Sequence, residues 1–151
     1  MDLSGLKWPL IIALVVGLLF LFSESGVNFM FNKFTATPVG QQDAERQVAC
    51  EAGLSRLGGY LLLTLRYPKA EEVLTTAMQR YPEGKNALYN EYRIAKCAEK
   101  QGRYEDCLKI LIRLRDMGAH QYDSRIPMHD LLQARIDRLA ETHQLGEAGK
   151  I

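Results

Sequence analysis

"LGGYLLLTLRYPKAEEVLTTAMQRYP", residues 57 to 82, is the stretch that decides the fold. Its run Tyr-Leu-Leu-Leu-Thr-Leu could form a strand, but leucines continue upstream of it at three- and four-residue steps, as in Leu57 and Leu61. That spacing predicts one face of a helix from about Gln42 to Arg66. Tyr67-Pro68 should end the helix, because a residue before proline avoids the helical region. We therefore interpret the apparent strand as the last part of a helix.

A second helix is predicted from about Lys69 to Arg80, where the second Tyr-Pro pair stops it. The two helices would form a helix–turn–helix in which Gly58 lies opposite Ala70. A glycine inside a helix costs about 1 kcal/mol of helix propensity, so Gly58 needs a reason in packing. Small side chains at both positions would let the two helices approach closely.

This helix–turn–helix resembles a tetratricopeptide repeat, a helix pair marked by Leu-Gly, an alanine and a closing proline. The first copy has Leu54 where the family often has Trp. A weaker second copy starts 37 residues later; it carries Glu91 at the position of Leu54 and lacks the closing proline. The residues that match the structural pattern are Leu54, Leu57, Gly58, Leu61, Ala70, Leu74, Ala77, Pro82, Ile94, Ala95, Cys107 and Leu111.

Residues 127 to 146 do not complete a third copy, because His129 stands where a small residue is needed. We predict a single capping helix there, which would bury Met128, Leu131, Leu132, Ile136 and Leu139 against the second repeat. The predicted fold class is all-α: an N-terminal transmembrane helix, then a short tetratricopeptide-like solenoid of two repeats and a cap over residues 42 to 151.

The transmembrane prediction rests on "WPLIIALVVGLLFLF", residues 8 to 22, which has no charged or polar side chain. Together with residues 3 to 6 it approaches a full span. Residues 1 to 34 are predicted as a membrane anchor and residues 35 to 41 as a linker. Lys7 before the span favours a cytoplasmic N-terminus, with the repeats in the periplasm of a bacterial inner membrane. A cleaved signal peptide, with small residues at Ser23 and Ser25, is the alternative.

The resemblance implies that partner proteins bind the concave face of the first helices. The residues expected on that face are Ser55, Gly59, Leu62, Leu63, Tyr89, Tyr92, Lys96 and Lys100. Such a groove suits an amphipathic helix or an extended peptide with apolar anchors. The alternative is that Leu62 and Leu63 contact the capping helix or the anchor. The Lys/Asn cluster with which some relatives bind a C-terminal carboxylate is absent, so that mode is not expected.

Cysteine and histidine spacing does not indicate catalysis or metal binding. Cys97 and Cys107 flank the Gly102 turn and could form a disulfide, or both could be small packing residues, with Cys50 left unpaired. The three histidines lack ligand spacing, so no metal or other cofactor is expected. No nucleophile–base grouping or phosphate loop occurs, which predicts a protein that is not an enzyme and has no small-molecule substrate.

The overall prediction is a membrane-anchored adaptor or assembly factor. It would hold a protein partner at the bilayer through its repeats. The alternative is a permanent accessory subunit of a large membrane complex. Nineteen basic and 18 acidic residues leave a net charge of +1, which indicates no nucleic-acid partner.

Overall fold

The computed structural model describes residues 4 to 145, except for the side chains of residues 4 to 7 and 18 to 22. Within that range the chain is helical and contains no strand, which confirms the all-α prediction. The helices are α1 (Ser4–Phe22), α2 (Glu24–Thr35), α3 (Ala44–Leu63), α4 (Tyr67–Arg80), α5 (Ala87–Lys100), α6 (Tyr104–Asp116) and α7 (His129–Thr142). Contacts divide the chain into two compact units, Met1–Thr37 and Pro38–Ile151. The division falls inside the predicted linker.

The first unit contains α1 and α2, which Ser23 separates. Ser23 is the N-cap of α2, and its Oγ accepts a hydrogen bond from the backbone N–H of Gly26 at 3.1 Å. A serine in this role satisfies an N–H group that would otherwise lack a partner in the first helical turn. Ser23 therefore starts a new helix, where the sequence suggested either a cleavage site or a continuing anchor.

The prediction of an N-terminal transmembrane helix is wrong. Among the residues that the structure describes, no helix is both long enough and apolar enough to cross a membrane. The predictions of a single-pass anchor and of a periplasmic repeat domain at the inner membrane are therefore also wrong.

The second unit begins with the predicted first repeat, formed by α3 and α4. Asp43 caps α3, since its Oδ1 accepts a hydrogen bond from the backbone N–H of Arg46 at 2.7 Å. Residues 60 to 63 are helical, so the interpretation of the apparent strand as the end of a helix is confirmed. Pro82 is exposed beyond α4. The other pattern residues of this repeat are all buried: Leu54, Leu57, Gly58, Leu61, Ala70, Leu74 and Ala77.

Helix α3 ends at Leu63, earlier than predicted, because Leu65 adopts a left-handed conformation with φ 61°. The N–H of Leu65 donates to the carbonyl of Leu62 at 3.3 Å, and the N–H of Arg66 donates to the carbonyl of Leu61 at 2.9 Å. This pair of bonds is a Schellman motif, which satisfies the last carbonyls of a helix. Pro68 lies in the first turn of α4, where its missing N–H has no cost.

The second repeat, α5 and α6, has a turn in the same register. Gly102, 37 residues after Leu65, has φ 76°, and the N–H of Arg103 donates to the carbonyl of Ala98 at 2.9 Å. Glu71 of α4 ties this turn to the first repeat, pairing with Arg103 and accepting a hydrogen bond from Gln101 Nε2 at 2.7 Å. Ile94 is only half-buried. The fully buried pattern residues here are Ala95, Ala98, Cys107, Leu111, Leu114 and Ala119.

Helix α7 packs on α6 as the predicted cap does, but with a narrower apolar face. Leu132, Ile136 and Leu139 are buried, whereas Met128 is 68% and Leu131 64% exposed. Met128 precedes the first helical residue and has an extended backbone, so it does not share the face that the helical period assigns to it. The prediction of burial is wrong for these two residues.

All three cysteines lie among the described residues and are free thiols. The suggested disulfide between Cys97 and Cys107 is therefore not formed. Both side chains have no solvent exposure, Cys97 on α5 and Cys107 on α6. They fill space as small packing residues, the alternative that the sequence left open.

Candidate functional site

Side-chain hydrogen bonds place the first helices of the repeats, α3 and α5, beside each other, with α7 next in order. Ser55 Oγ of α3 donates to Asn90 Oδ1 of α5 at 2.7 Å, and Arg93 Nη1 donates to the Ser55 carbonyl at 2.9 Å. On the far side of α5, Arg135 Nη1 of α7 donates to Tyr92 Oη at 3.1 Å. We call the surface that α3, α5 and α7 present the first-helix face.

The eight residues predicted for partner binding lie at different depths on this face. Ser55 and Tyr92 are buried, since each is covered by an arginine from the next helix along. Leu63 is 81% exposed, and Lys100 is also exposed. The half-buried members are Gly59, Leu62, Tyr89 and Lys96. Ser55 and Tyr92 therefore join the helices, and a partner could reach only the others.

Gly59 lies where α3 and α5 contact each other. A Cβ built on Gly59 would lie 3.2 Å from Arg93 Nη2 and 3.3 Å from its Cζ. The absence of a side chain thus gives the Arg93 guanidinium room to lie against α3 and reach the Ser55 carbonyl. Gly59 helps to position a cation of the face and offers a partner no side chain of its own.

Two tyrosines and four cations form a cluster on α5, which we call the tyrosine–cation cluster: Tyr89, Tyr92, Arg93, Lys96, Arg125 and Arg135. The rings of Tyr89 and Tyr92 have centroids 6.4 Å apart and are inclined by 28°. Each ring has two cations over it, because cations are attracted to the negative face of an aromatic ring. The distances to the Tyr89 centroid are 4.0 Å from Arg93 and 4.3 Å from Arg125; those to Tyr92 are 4.6 Å from Lys96 and 5.9 Å from Arg135.

Carboxylates neutralise two of the four cations. Arg135 pairs with Glu99 of α5. Arg125 pairs with Asp123 at 2.6 Å, and its Nη1 also donates to Asn86 Oδ1 at 2.8 Å. The hydrogen bonds from Arg125 are the main cause that lowers the pKa of Asp123. The α6–α7 connection is thereby fastened to the start of α5.

The other two cations, Arg93 and Lys96, form no ion pair with a carboxylate among residues 4 to 145, although Asp123 interacts electrostatically with Arg93 and Glu99 with Lys96 at longer range. Arg93 makes its hydrogen bonds to Ser55, and Lys96 makes no hydrogen bond or ion pair with any residue between 4 and 145. The exposed Lys100, one turn further on α5, also has no ion pair within that part of the chain. Burial, followed by the positive charge of Arg135, lowers the pKa of Lys96. This end of the cluster therefore carries an excess of positive charge.

Sequence reasoning missed the three arginines of the cluster. Arg93 lies one helical turn after Tyr89, so its position beside that ring could have been read from the four-residue spacing. Arg125 and Arg135 reach α5 from 36 or more residues away. No local sequence pattern indicates contacts between residues so far apart in the chain.

A groove with a volume of about 440 Å³ lies beside the α4–α5 loop. Its walls come from Val39, Ala44, Gln47, Val48, Glu51, Arg80, Tyr81, Pro82, Glu83, Gly84 and Lys85. Glu51 uses both carboxylate oxygens on Asn86, at 2.9 Å from the backbone N and 2.8 Å from Nδ2. The buried acid of this groove thus fastens the α4–α5 loop to α3.

Across the described residues no group of three His, Cys, Asp or Glu side chains is arranged to hold a metal ion. What the first-helix face offers is a mixed surface of leucine, tyrosine and cations. No protein-family model, no curated protein and no solved structure matches this chain.

Proposed function

We propose that this protein is a protein–protein interaction module that docks a partner polypeptide on the first-helix face. The observation that carries the proposal is the continuity of that face. Arg93 links α3 to α5 through Ser55, and Arg135 links α7 to α5 through Tyr92. Because side chains hold the three helices in register, residues from separate repeats can contact one ligand together.

The composition of the accessible part suits a polypeptide ligand. Leu62 and Leu63 offer apolar area, Tyr89 offers a ring with a polar tip, and Lys96 and Lys100 offer charge. Interfaces between proteins combine aromatic anchors with polar groups around them. An adaptor or assembly factor would use such a surface transiently. The resemblance to tetratricopeptide repeats, which bind partners on the corresponding face, supports the same proposal.

Photocrosslinking tests the proposed face directly. An apolar photoreactive residue, such as benzoylphenylalanine, would replace Leu63 of α3 in one variant and Lys109 of α6 in the control, since both positions are exposed and only Leu63 lies on the first-helix face. We expect adducts with a co-expressed partner from position 63 and few from position 109. Equal yields from both positions, or adducts from position 109 alone, would reject the first-helix face as the docking surface.

The chain offers one specific reason to consider a permanent subunit of a larger assembly as a second candidate. Apolar side chains of α1 are exposed: Trp8, Leu10, Ile11, Ile12, Leu14, Val15 and Val16, at 46 to 72%. A set of this size in one helix favours lasting burial against other subunits over transient contact. Size-exclusion chromatography of the endogenous protein distinguishes the two. A subunit elutes only with a large complex at constant stoichiometry, whereas an adaptor is also recovered alone.

A further inference from the structure

Three cations of α5 that form no ion pair within the described part of the chain, residues 4 to 145, indicate what kind of partner the first-helix face recognises. Arg93, Lys96 and Lys100 follow one another at three- and four-residue steps, so they lie along one side of the helix. Arg93 and Lys96 are half-buried. Holding cations out of water without a carboxylate is unfavourable. A ligand that brings carboxylates would remove that cost.

The repeat register places apolar groups on the turn of α3 that is equivalent to the charged turn of α5. On α3, Leu63 lies 37 residues before Lys100, and Leu62 lies 37 residues before Glu99. The corresponding turn of α3 is therefore apolar where that of α5 is charged. A ligand that crosses the two helices would meet leucine side chains on one and ammonium or guanidinium groups on the other.

We propose that the first-helix face binds an internal acidic segment of its partner, whose Asp or Glu side chains pair with Arg93, Lys96 and Lys100 while apolar side chains contact Leu62 and Leu63. This inference rests on the proposed function. Asp123 and Glu99 show the same chemistry within the chain, because each neutralises an arginine of the cluster. The ligand would extend that pairing to the cations that remain.

A polypeptide fits these observations better than a nucleic acid. The face offers three cations along one helix, and the whole chain carries a net charge of only +1. Nucleic-acid binding relies on many cations that follow the phosphate backbone. The leucines of α3 have no counterpart in a phosphate backbone, whereas an acidic amphipathic peptide supplies both kinds of group.

Selection from a library of random peptides displayed on phage tests the inference without knowledge of the partner. The full chain serves as bait. We expect Asp and Glu to be several-fold enriched over the starting library among the selected peptides, with Leu, Ile or Phe nearby. Selection with the Lys96→Gln/Lys100→Gln variant should yield no acidic enrichment. The Lys109→Gln/Lys85→Gln variant, which removes two exposed lysines from other surfaces, should select like the unmodified protein.

A selected peptide, synthesised with a fluorophore, would then be titrated by fluorescence anisotropy. Lys96→Gln should weaken binding about twofold to fivefold, since a partly exposed ion pair contributes less than one tenfold step in affinity. Lys109→Gln should leave the affinity unchanged. The peptide with every Glu replaced by Gln should lose at least as much affinity as Lys96→Gln and Lys100→Gln remove together, because Arg93 loses its partner too. Circular dichroism of each variant shows whether it is folded.

Three results would overturn the inference. They are selected peptides without acidic enrichment, equal weakening by Lys96→Gln and Lys109→Gln, and tighter binding of a single-stranded oligonucleotide of the same charge as the peptide. The proposed function fails separately. Neutral peptides that crosslink to position 63 would preserve the docking face and reject only the acidic partner. If no selected peptide crosslinks at position 63, both proposals are rejected.

Discussion

Gly58 and Leu74 are in such close contact that a Cβ built on Gly58 would lie 2.4 Å from Leu74 Cδ2 and 2.5 Å from its Cγ. Leu74 has no solvent exposure, so its branch point cannot move aside without disturbing the core between α3 and α4. The sequence pattern placed Ala70 opposite Gly58. The side chain that fills the space over the glycine is Leu74, one turn further along α4.

Gly58→Ala should therefore destabilise the domain. Forcing a methyl group into a packed contact costs about 1 to 3 kcal/mol, which exceeds the gain of about 1 kcal/mol in helix propensity. Chemical denaturation followed by circular dichroism measures the free energy of unfolding. Gly59→Ala is the matched control, because its nearest atoms are the end of the flexible Arg93 side chain at 3.2 Å. A loss of stability in Gly59→Ala equal to that in Gly58→Ala would contradict this explanation.

Glu91 is a buried acid at the position that Leu54 holds in the first repeat. Its Oε1 lies 3.1 Å from Arg113 Nη1, whose side chain is 67% exposed and can return to water. Replacing a buried charge and its partner contact by a packed apolar residue is often neutral or stabilising by about 1 to 4 kcal/mol. Glu91→Leu should thus raise the free energy of unfolding at neutral pH. The reciprocal variant Leu54→Glu should lower it.

The stabilisation by Glu91→Leu should depend on pH. Burial raises the pKa of Glu91 above its ordinary value of 4.5, although Arg113 acts in the opposite direction. The folded state therefore favours the protonated acid, and Glu91 reduces stability as pH rises through its unfolded and then its folded pKa. The difference between Glu91→Leu and the unmodified protein should shrink as the pH is lowered toward 4.5. A difference that grows in acid would show that the charged form is the one the fold prefers.

Substitutions at the two left-handed turns should have opposite effects on stability. Leu65 has φ 61° with its side chain 69% exposed, and Gly102 has φ 76° at the equivalent position. A left-handed conformation costs a residue with a Cβ about 1 to 2 kcal/mol. Gly102→Ala should lower the melting temperature, whereas Leu65→Gly should preserve or raise it. If both variants lost stability, the Leu65 side chain would stabilise the fold despite its exposure, which would contradict this explanation.

The buried thiols should be unreactive in the folded protein. Burial raises the pKa of both Cys97 and Cys107 to about 11, with smaller contributions from Glu71 and Glu99 respectively. Only the thiolate reacts with an alkylating reagent. We expect iodoacetamide to label neither residue at neutral pH until denaturant is added, as peptide mass spectrometry can show. Rapid labelling of either residue before unfolding would contradict the packed positions of these side chains.

The regular part of the fold could be predicted because its signals are local. Leucine spacing, the Tyr-Pro pairs and the 37-residue register are set by backbone geometry within one or two turns. They correctly gave the all-α class, the helical nature of residues 60 to 63 and the burial of the pattern residues from Leu54 to Leu111 other than Pro82 and Ile94. The same reasoning misjudged the end of α3, because a non-glycine residue in the left-handed conformation is uncommon and Leu65 carries no sign of it.

The sequence by itself determined that this is an all-α protein with two helix pairs in one register, because helix period and helix termination depend on neighbouring residues. Only the tertiary structure decided that Ser55 and Tyr92 join helices, and that the cysteines remain free. It alone also brought Arg125 and Arg135 from distant segments to the tyrosines of α5. Which cations are left without a carboxylate depends on such long-range contacts. The charges that the first-helix face presents therefore depend on how the chain packs. The helices that carry those charges depend on the local sequence.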